Sequence, residues 1–123
     1  MEERQITFQA TNSSGDVSAL LLMPADPQWL RVLAHGAGAG MRHRSMEAYA
    51  ARLAERGVAT LRYQFPYMEK RKGRPDPPPI AAKTVRSAVE TATALAPGLP
   101  LLAGGKSFGG RMTSTSQSQE ELP

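Results

Sequence analysis

The sequence contains no cysteine, which excludes a disulfide framework, a thiolate metal site and a cysteine nucleophile, and points to a reducing compartment. Long apolar runs are missing as well. The longest, Ala19 to Met23, is far too short to cross a bilayer, and the charged start MEERQITF has no apolar stretch behind it that could serve as a targeting signal. The expectation is a soluble, cytoplasmic chain with no membrane contact. Aromatic residues are scarce at 6%, but 41% hydrophobic and 21% charged residues are ordinary for a globular protein, and 123 residues suit one core better than two.

Acidic residues are outnumbered eleven to fifteen by lysine and arginine, a net charge of +4 that permits anionic partners without naming one. The single dense basic cluster, Lys70, Arg71, Lys72 and Arg74, runs into a proline-rich stretch. Interleaved aromatics and a repeated basic face are both absent, so it reads as a solvated loop and no nucleic-acid partner is expected.

Period-2 alternation over Gln5 to Ala10, a turn at Asn12 to Asp16 and a return strand from Val17 to Met23 predict an N-terminal hairpin. Leu30 to Ala34 predicts a third strand running into His35-Gly36-Ala37-Gly38-Ala39-Gly40. Met46, Tyr49, Ala50, Leu53 and Ala54 then recur at helical spacing from a start near Ser45 to a stop at Gly57. Val58 to Tyr63 predicts a strand, Gln64 to Pro79 a long loop, and Ala81 to Leu95 a second helix ended by Pro97-Gly98. Leu101 to Ala103 is short and wholly apolar, the type of strand buried on both faces of a parallel sheet. It enters a second glycine-rich turn, Gly104 to Gly110, beyond which the polar stretch Arg111 to Pro123 could start a helix but shows no apolar stripe. Strands alternating with helices predict an α/β protein: an N-terminal hairpin followed by a parallel βαβαβ sheet with helices on both faces. Ligands bind at the carboxyl ends of strands in such sheets, so both glycine turns belong at one functional edge.

Three chemistries compete for those turns. Gly105-Lys106-Ser107 could end a phosphate-binding loop, but the first glycine of that motif would fall on Pro100. A dinucleotide turn starting at Gly36 would need glycine where Met41 stands, and Val58 to Tyr63 holds no carboxylate for a ribose. Gly105-Lys106-Ser107-Phe108-Gly109 does fit a nucleophile elbow, in which a strained strand-to-helix turn exposes a serine and glycines two positions either side allow the close approach. Acyl transfer also needs two N–H donors aimed at the developing oxyanion, one from the residue after the serine and one from the loop after the third strand.

His35 to Gly40, Arg62-Tyr63-Gln64-Phe65-Pro66-Tyr67 and Gly105 to Arg111, in that order, resemble the α/β-hydrolase superfamily, specifically its dienelactone-hydrolase-like predicted hydrolases, a group that includes the testis-expressed and NSL-complex hydrolase-like proteins. The resemblance implies Ser107 as nucleophile and the N–H groups of Ala37 and Phe108 as oxyanion hole. It implies His35, Gly36, Gly38, Gly105 and Gly109 as site-shaping residues, Tyr63, Phe65 and Tyr67 as pocket walls, and neither cofactor nor metal. The partner implied is a small-molecule substrate, an ester, thioester or lactone cleaved through an acyl-enzyme.

In this fold the acid and the histidine of the triad follow the serine. The sixteen residues after Ser107 hold no histidine and only two acids, Glu120 and Glu121. Residues 1–123 are therefore expected to be the N-terminal part of one hydrolase domain, short by about 90 residues. As a truncated chain it should be inactive and should self-associate through the strand edge left at Leu101 to Ala103. The alternative reading is a hydrolase-like binding scaffold without catalysis.

Overall fold

Alternation turns Ile6, Phe8 and Ala10 inward and their neighbours to solvent, and the resulting strand β1 (Glu2–Thr11) pairs antiparallel with β2 (Gly15–Met23). The computed structural model describes residues 2–106, 108–119 and 122–123. The other elements are β3 (Trp29–Ala34), α1 (Arg44–Glu55), β4 (Val58–Tyr63), α2 (Pro66–Glu69), α3 (Pro78–Leu95), β5 (Leu101–Gly105) and α4 (Phe108–Gln119).

The five strands form one sheet in the order β1-β2-β4-β3-β5. β2 meets β4 antiparallel, while β3 runs parallel to both β4 and β5. Helices cover both faces. Leu21, Val32, Leu61 and Tyr63 point into the main core with Ala81, Val85, Ala88 and Ala92 of α3 and Phe108 and Met112 of α4. Leu22, one residue out of phase with Leu21, packs instead with Ala50 and Ala54 of α1. The α/β architecture read from the sequence is the one observed. β4 lies on one side of β3 and β5 on the other, reached by crossovers through α1 and α3 on opposite faces, so β3 is the point where strand order reverses.

Three local expectations need correction. The loop from Gln64 to Pro79 contains α2, started by Pro66 at its first position and capped from a distance by Asp76, whose Oδ2 accepts the Tyr67 N–H at 3.0 Å. The polar stretch from Arg111 does carry a buried face: it continues α4, of which Phe108, Gly109, Met112, Thr113 and Ser116 turn inward. Small hydroxyl residues can line a helix interface because they bond back to their own helix, as Thr113 Oγ1 does to Gly109 O at 2.8 Å. Hydropathy alone does not register such a face. Arg86 of α3 adds a tie to this helix by donating to Ser116 O at 3.1 Å. Third, β5 is not buried on both faces: it pairs only with β3 among the described residues, and Leu102 is 46% exposed.

Gly57 stops α1 as expected, with φ at +79° in the left-handed region that L side chains disfavour. No helix among the described residues is long and apolar enough to cross a membrane.

Candidate functional site

The loop after β3 and the turn after β5 meet because β3 and β5 are hydrogen-bonded neighbours ending level, Ala34 beside Gly105. The Lys106 N–H extends that pairing by donating to Ala34 O at 3.2 Å, and Gly109 N–H closes the turn on Lys106 O at 2.8 Å. At this spacing no side chain fits. A Cβ on Gly105 would stand 2.5 Å from Ala34 O, one on Gly109 2.5 Å from His35 O, and one on Gly110 2.8 Å from Gly105 O. The glycines are therefore required by backbone packed on backbone, Gly110 as well as the two the sequence singles out. Ser107 itself lies outside the described residues.

His35 is fully buried at the start of the other loop. Its Nε2 faces the Phe65 N–H at 3.0 Å, and since an amide can only donate, Nε2 must be the unprotonated acceptor. The ring hydrogen then sits on Nδ1, which donates to Gly36 O at 2.7 Å. Burial holds the imidazole below its ordinary pKa and so keeps it neutral, the Gly36 bond opposing only in part. Both ring nitrogens are engaged, Nε2 with Phe65 beyond β4 and Nδ1 with Gly36 in the loop itself, which leaves neither to take a proton from a reacting group.

The far end of the loop is held at Met41. Gln64 Oε1 accepts the Met41 N–H at 2.9 Å, and the Arg62 guanidinium, 1% exposed, donates to Met41 O at 3.2 Å and pairs with Glu3 at 2.8 Å. A Cβ on Gly40 would come within 2.6 Å of Gln64 Oε1 and push that side chain off Met41. Tyr67 contributes its hydroxyl, which donates to Ala37 O at 2.7 Å and lies 3.4 Å from Gly36 O. Burial and then the charge of Asp76 push the phenol up, so that hydrogen stays in place.

Between the two loops and the main core lies a cluster of edge-to-face rings. Phe65 stands 5.0 Å from His35, 5.5 Å from Tyr63 and 5.2 Å from Phe108, and Tyr67 stands 5.9 Å from His35 and 6.0 Å from Phe108. Tyr63 and Phe65 are thus buried residues of the main core. Tyr67 borders a cleft on the far side, with Lys70, Lys72, Arg74 and the serines of the β1–β2 turn. The space at the two glycine turns is a pocket of about 210 Å³ walled by Gly36, Ala37, Gly38, Ala39, Ser45 and Lys106, with His43 at its rim. A second cleft of about 380 Å³ adjoins it past Ser45, Met46 and Lys106, reaching Arg31 and Tyr49.

Of the residues expected at a site, the structure therefore brings Gly36, Ala37 and Gly38 to one pocket with Lys106, with Gly105 and Gly109 in the packed turn beside it. Gly38 is the exception to the tight packing, since a Cβ there would meet nothing within 4 Å. Among the described residues no hydrogen bond uses the N–H of Ala37 or of Phe108; Phe108 opens α4, where first-turn N–H groups have no partner within the helix. His43 caps α1, its Nδ1 accepting the Ser45 N–H at 3.2 Å. Gln64, Arg62 and Gly40 escape a sequence reading, although Arg62 and Gln64 stand in the run Arg62 to Tyr67. Their clue is two polar side chains alternating with aromatics at a buried strand end, where each must find a partner.

A mixed sheet whose parallel strands reverse order at β3, a glycine-tight strand-to-helix turn beside a histidine-anchored loop, and a pocket between them define a class of hydrolase fold. The family model for the alpha/beta hydrolase domain matches residues 27–122, and the chain belongs to that family. Among solved structures it is similar to a dienelactone hydrolase from Anabaena variabilis, with 19% identity, a TM-score of 0.81, and coverage of 97% of this chain and 58% of that one. An α/β serine hydrolase without lid from Xanthomonas campestris gives 19% identity, a TM-score of 0.80, and coverage of 99% and 58%. A highly thermostable carboxyl esterase from Bacillus coagulans gives 16% identity, a TM-score of 0.80, and coverage of 99% and 42%. The chain thus spans little more than half the length of the first two. A comparison with curated proteins returns no match.

Proposed function

We propose that this chain carries the nucleophile and the oxyanion hole of a serine hydrolase that cleaves a small ester, thioester or lactone. The observation that carries the reading is the pocket shared by the Gly36–Ala39 loop and Lys106, at the ends of two adjacent parallel strands. Ser107, between Lys106 and Phe108, would attack the acyl carbonyl, and the N–H groups of Ala37 and Phe108 would receive the charge that develops on its oxygen. The alkoxide or thiolate then leaves with a proton, and water releases the acyl group from the serine. The glycines at 36, 38, 105 and 109 shape the two turns, while Tyr63, Phe65 and Tyr67 support the site from beneath. No step needs a cofactor or a metal.

His35 is excluded as the base because both ring nitrogens are engaged inside the core. The proton acceptor and its acid then belong to further strands of a hydrolase domain of which residues 1–123 are the N-terminal part, in a cytoplasmic protein. Coverage of 58% of two solved hydrolases supports this division. Taken alone, the chain should turn over almost nothing.

Covalent labelling by a fluorophosphonate probe tests the reading, applied to the 123-residue chain and to the longest polypeptide its gene encodes. Labelling should fall to background in Ser107→Ala, a loss of about a thousandfold or more. Labelling that survives the substitution would move the nucleophile elsewhere, and failure of every form to label would favour a hydrolase-like scaffold that binds without catalysis.

The open edge of β5, with Leu102 half out of the core, supports self-association of the 123-residue chain. Sedimentation at two concentrations should show a dimer or larger species that Leu102→Lys disperses. A monomer at both concentrations would count against it.

A further inference from the structure

We infer that the Tyr67 hydroxyl is a positioning group that turns two successive amides, Ala37 N–H and Gly38 N–H, outward together as a paired donor for an anionic oxygen. The inference rests on reading the pocket at Lys106 as an acyl-transfer site, and it adds Gly38 to the donors of that site.

In a trans peptide the C=O and the following N–H point in opposite directions, and no peptide bond among the described residues is cis. Along an extended strand successive carbonyls alternate, so successive N–H groups cannot serve one ligand. Here they do not alternate. Gly36 O and Ala37 O both turn toward Tyr67, lying 3.4 and 2.7 Å from its hydroxyl oxygen, and His35 Nδ1–H holds Gly36 O as well, at 2.7 Å. With both carbonyls drawn to the buried side, the N–H groups of Ala37 and Gly38 face the other side.

That other side is the pocket. Its wall includes Gly36, Ala37, Gly38 and Lys106 but neither His35 nor Tyr67, so the loop separates the anchoring groups from the space they serve. Two adjacent N–H groups facing one space make the kind of concave backbone site that binds anions. No hydrogen bond among the described residues uses the Gly38 N–H. Tyr67 can hold this arrangement because it is itself fixed: its own N–H is bound by Asp76 and its ring is wedged between His35 and Phe108. His35 anchors one of the two peptides, whereas Tyr67 makes the only described side-chain bond to Ala37 O.

Tyr67→Phe removes the hydroxyl and keeps the ring, so it separates positioning from packing. Two readouts are needed. In the 123-residue chain, the amide resonances of Ala37 and Gly38 should shift and broaden in the variant as the two peptides lose their common orientation, with those of β1 and β2 unmoved. Unchanged Ala37 and Gly38 amides would overturn the inference whether or not the protein is a hydrolase. In a form that labels with fluorophosphonate, the maximal rate of labelling should fall about ten- to a hundredfold while the half-saturating probe concentration holds. A change confined to half-saturation would also overturn it, because that pattern belongs to a pocket wall. If no form labels, the hydrolase reading fails, and the amide resonances still decide whether Tyr67 sets the two amides.

Discussion

Gly109→Ala should cost the fold about 3 kcal/mol or more, seen as a fall in the urea midpoint and of about 10 °C in the melting temperature. The added methyl would lie 2.5 Å from His35 O and 2.7 Å from Ala34 C and Ala34 Cβ. Neither residue can retreat. Ala34 ends the interior strand β3, paired on both sides, and His35 is locked through its ring to Gly36 and Phe65. Gly105→Ala should behave alike, its methyl meeting Ala34 O at 2.5 Å and Gly109 C at 3.0 Å. Against total stabilities of about 5–15 kcal/mol, such losses are large enough to leave part of the chain unfolded at room temperature. Gly38→Ala supplies the contrast, because nothing lies within 4 Å of its Cβ position. Its stability should stay within about 0.5 kcal/mol of the parent. Equal losses at 38 and 109 would mean that the elbow is not packed as described.

His35→Ala should be as damaging, by about 3–5 kcal/mol, for a different reason. The imidazole is a two-ended clamp, and its removal leaves a cavity, a buried Phe65 N–H without an acceptor and a Gly36 carbonyl without its closest donor. His35→Gln, which can offer one acceptor and one donor, should recover part of the loss. The clamp is also pH-dependent. Protonation would put a hydrogen on Nε2 against the Phe65 N–H, and burial already depresses the folded pKa below the ordinary 6.5. Between those two values the unfolded chain binds a proton that the folded chain refuses. The stability His35 contributes is therefore complete above pH 6.5 and is lost as pH falls from there toward the folded pKa, with a slope of at most about 1.4 kcal/mol per pH unit. Asp76 acts in the opposite direction, since burial raises its carboxyl. Comparing the parent with His35→Gln from pH 7.5 to pH 5 isolates the histidine, and a difference that does not shrink on acidification would refute the neutral-imidazole assignment.

Local patterns proved readable wherever one residue's conformation or one periodic face decided the element. The hairpin, β3, β4, α1 and α3 all follow from periodicity and from breakers such as Gly57 and Pro97-Gly98, with shifts of a few residues at their ends. The two glycine turns and their common edge followed from strand order. What escaped was whatever is stabilised by partners distant along the chain. The short helix α2 depends on Asp76 and on Glu69, whose carboxylate accepts the Ser18 N–H and hydroxyl at 3.0 and 2.9 Å. α4 depends on a hydroxyl-lined face that fits against α3 and β5. The aromatic run from Tyr63 to Tyr67 suggested pocket walls, yet packing against Phe8, His35 and Phe108 places Tyr63 and Phe65 in the core.

By itself, the sequence determined the class of fold, the family motifs and the glycines, because backbone close approach tolerates no other residue and periodicity declares which face is buried. Only the tertiary structure decided how the loop at His35 to Met41 is held. Its anchors, Phe65, Tyr67, Gln64 and Arg62, sit after or within β4, more than twenty residues away in sequence, and reach the loop because β4 is inserted beside β3. A hydrogen bond's partner is set by which strands adjoin, and that choice is made by the global burial of both sheet faces, which no local window of residues contains.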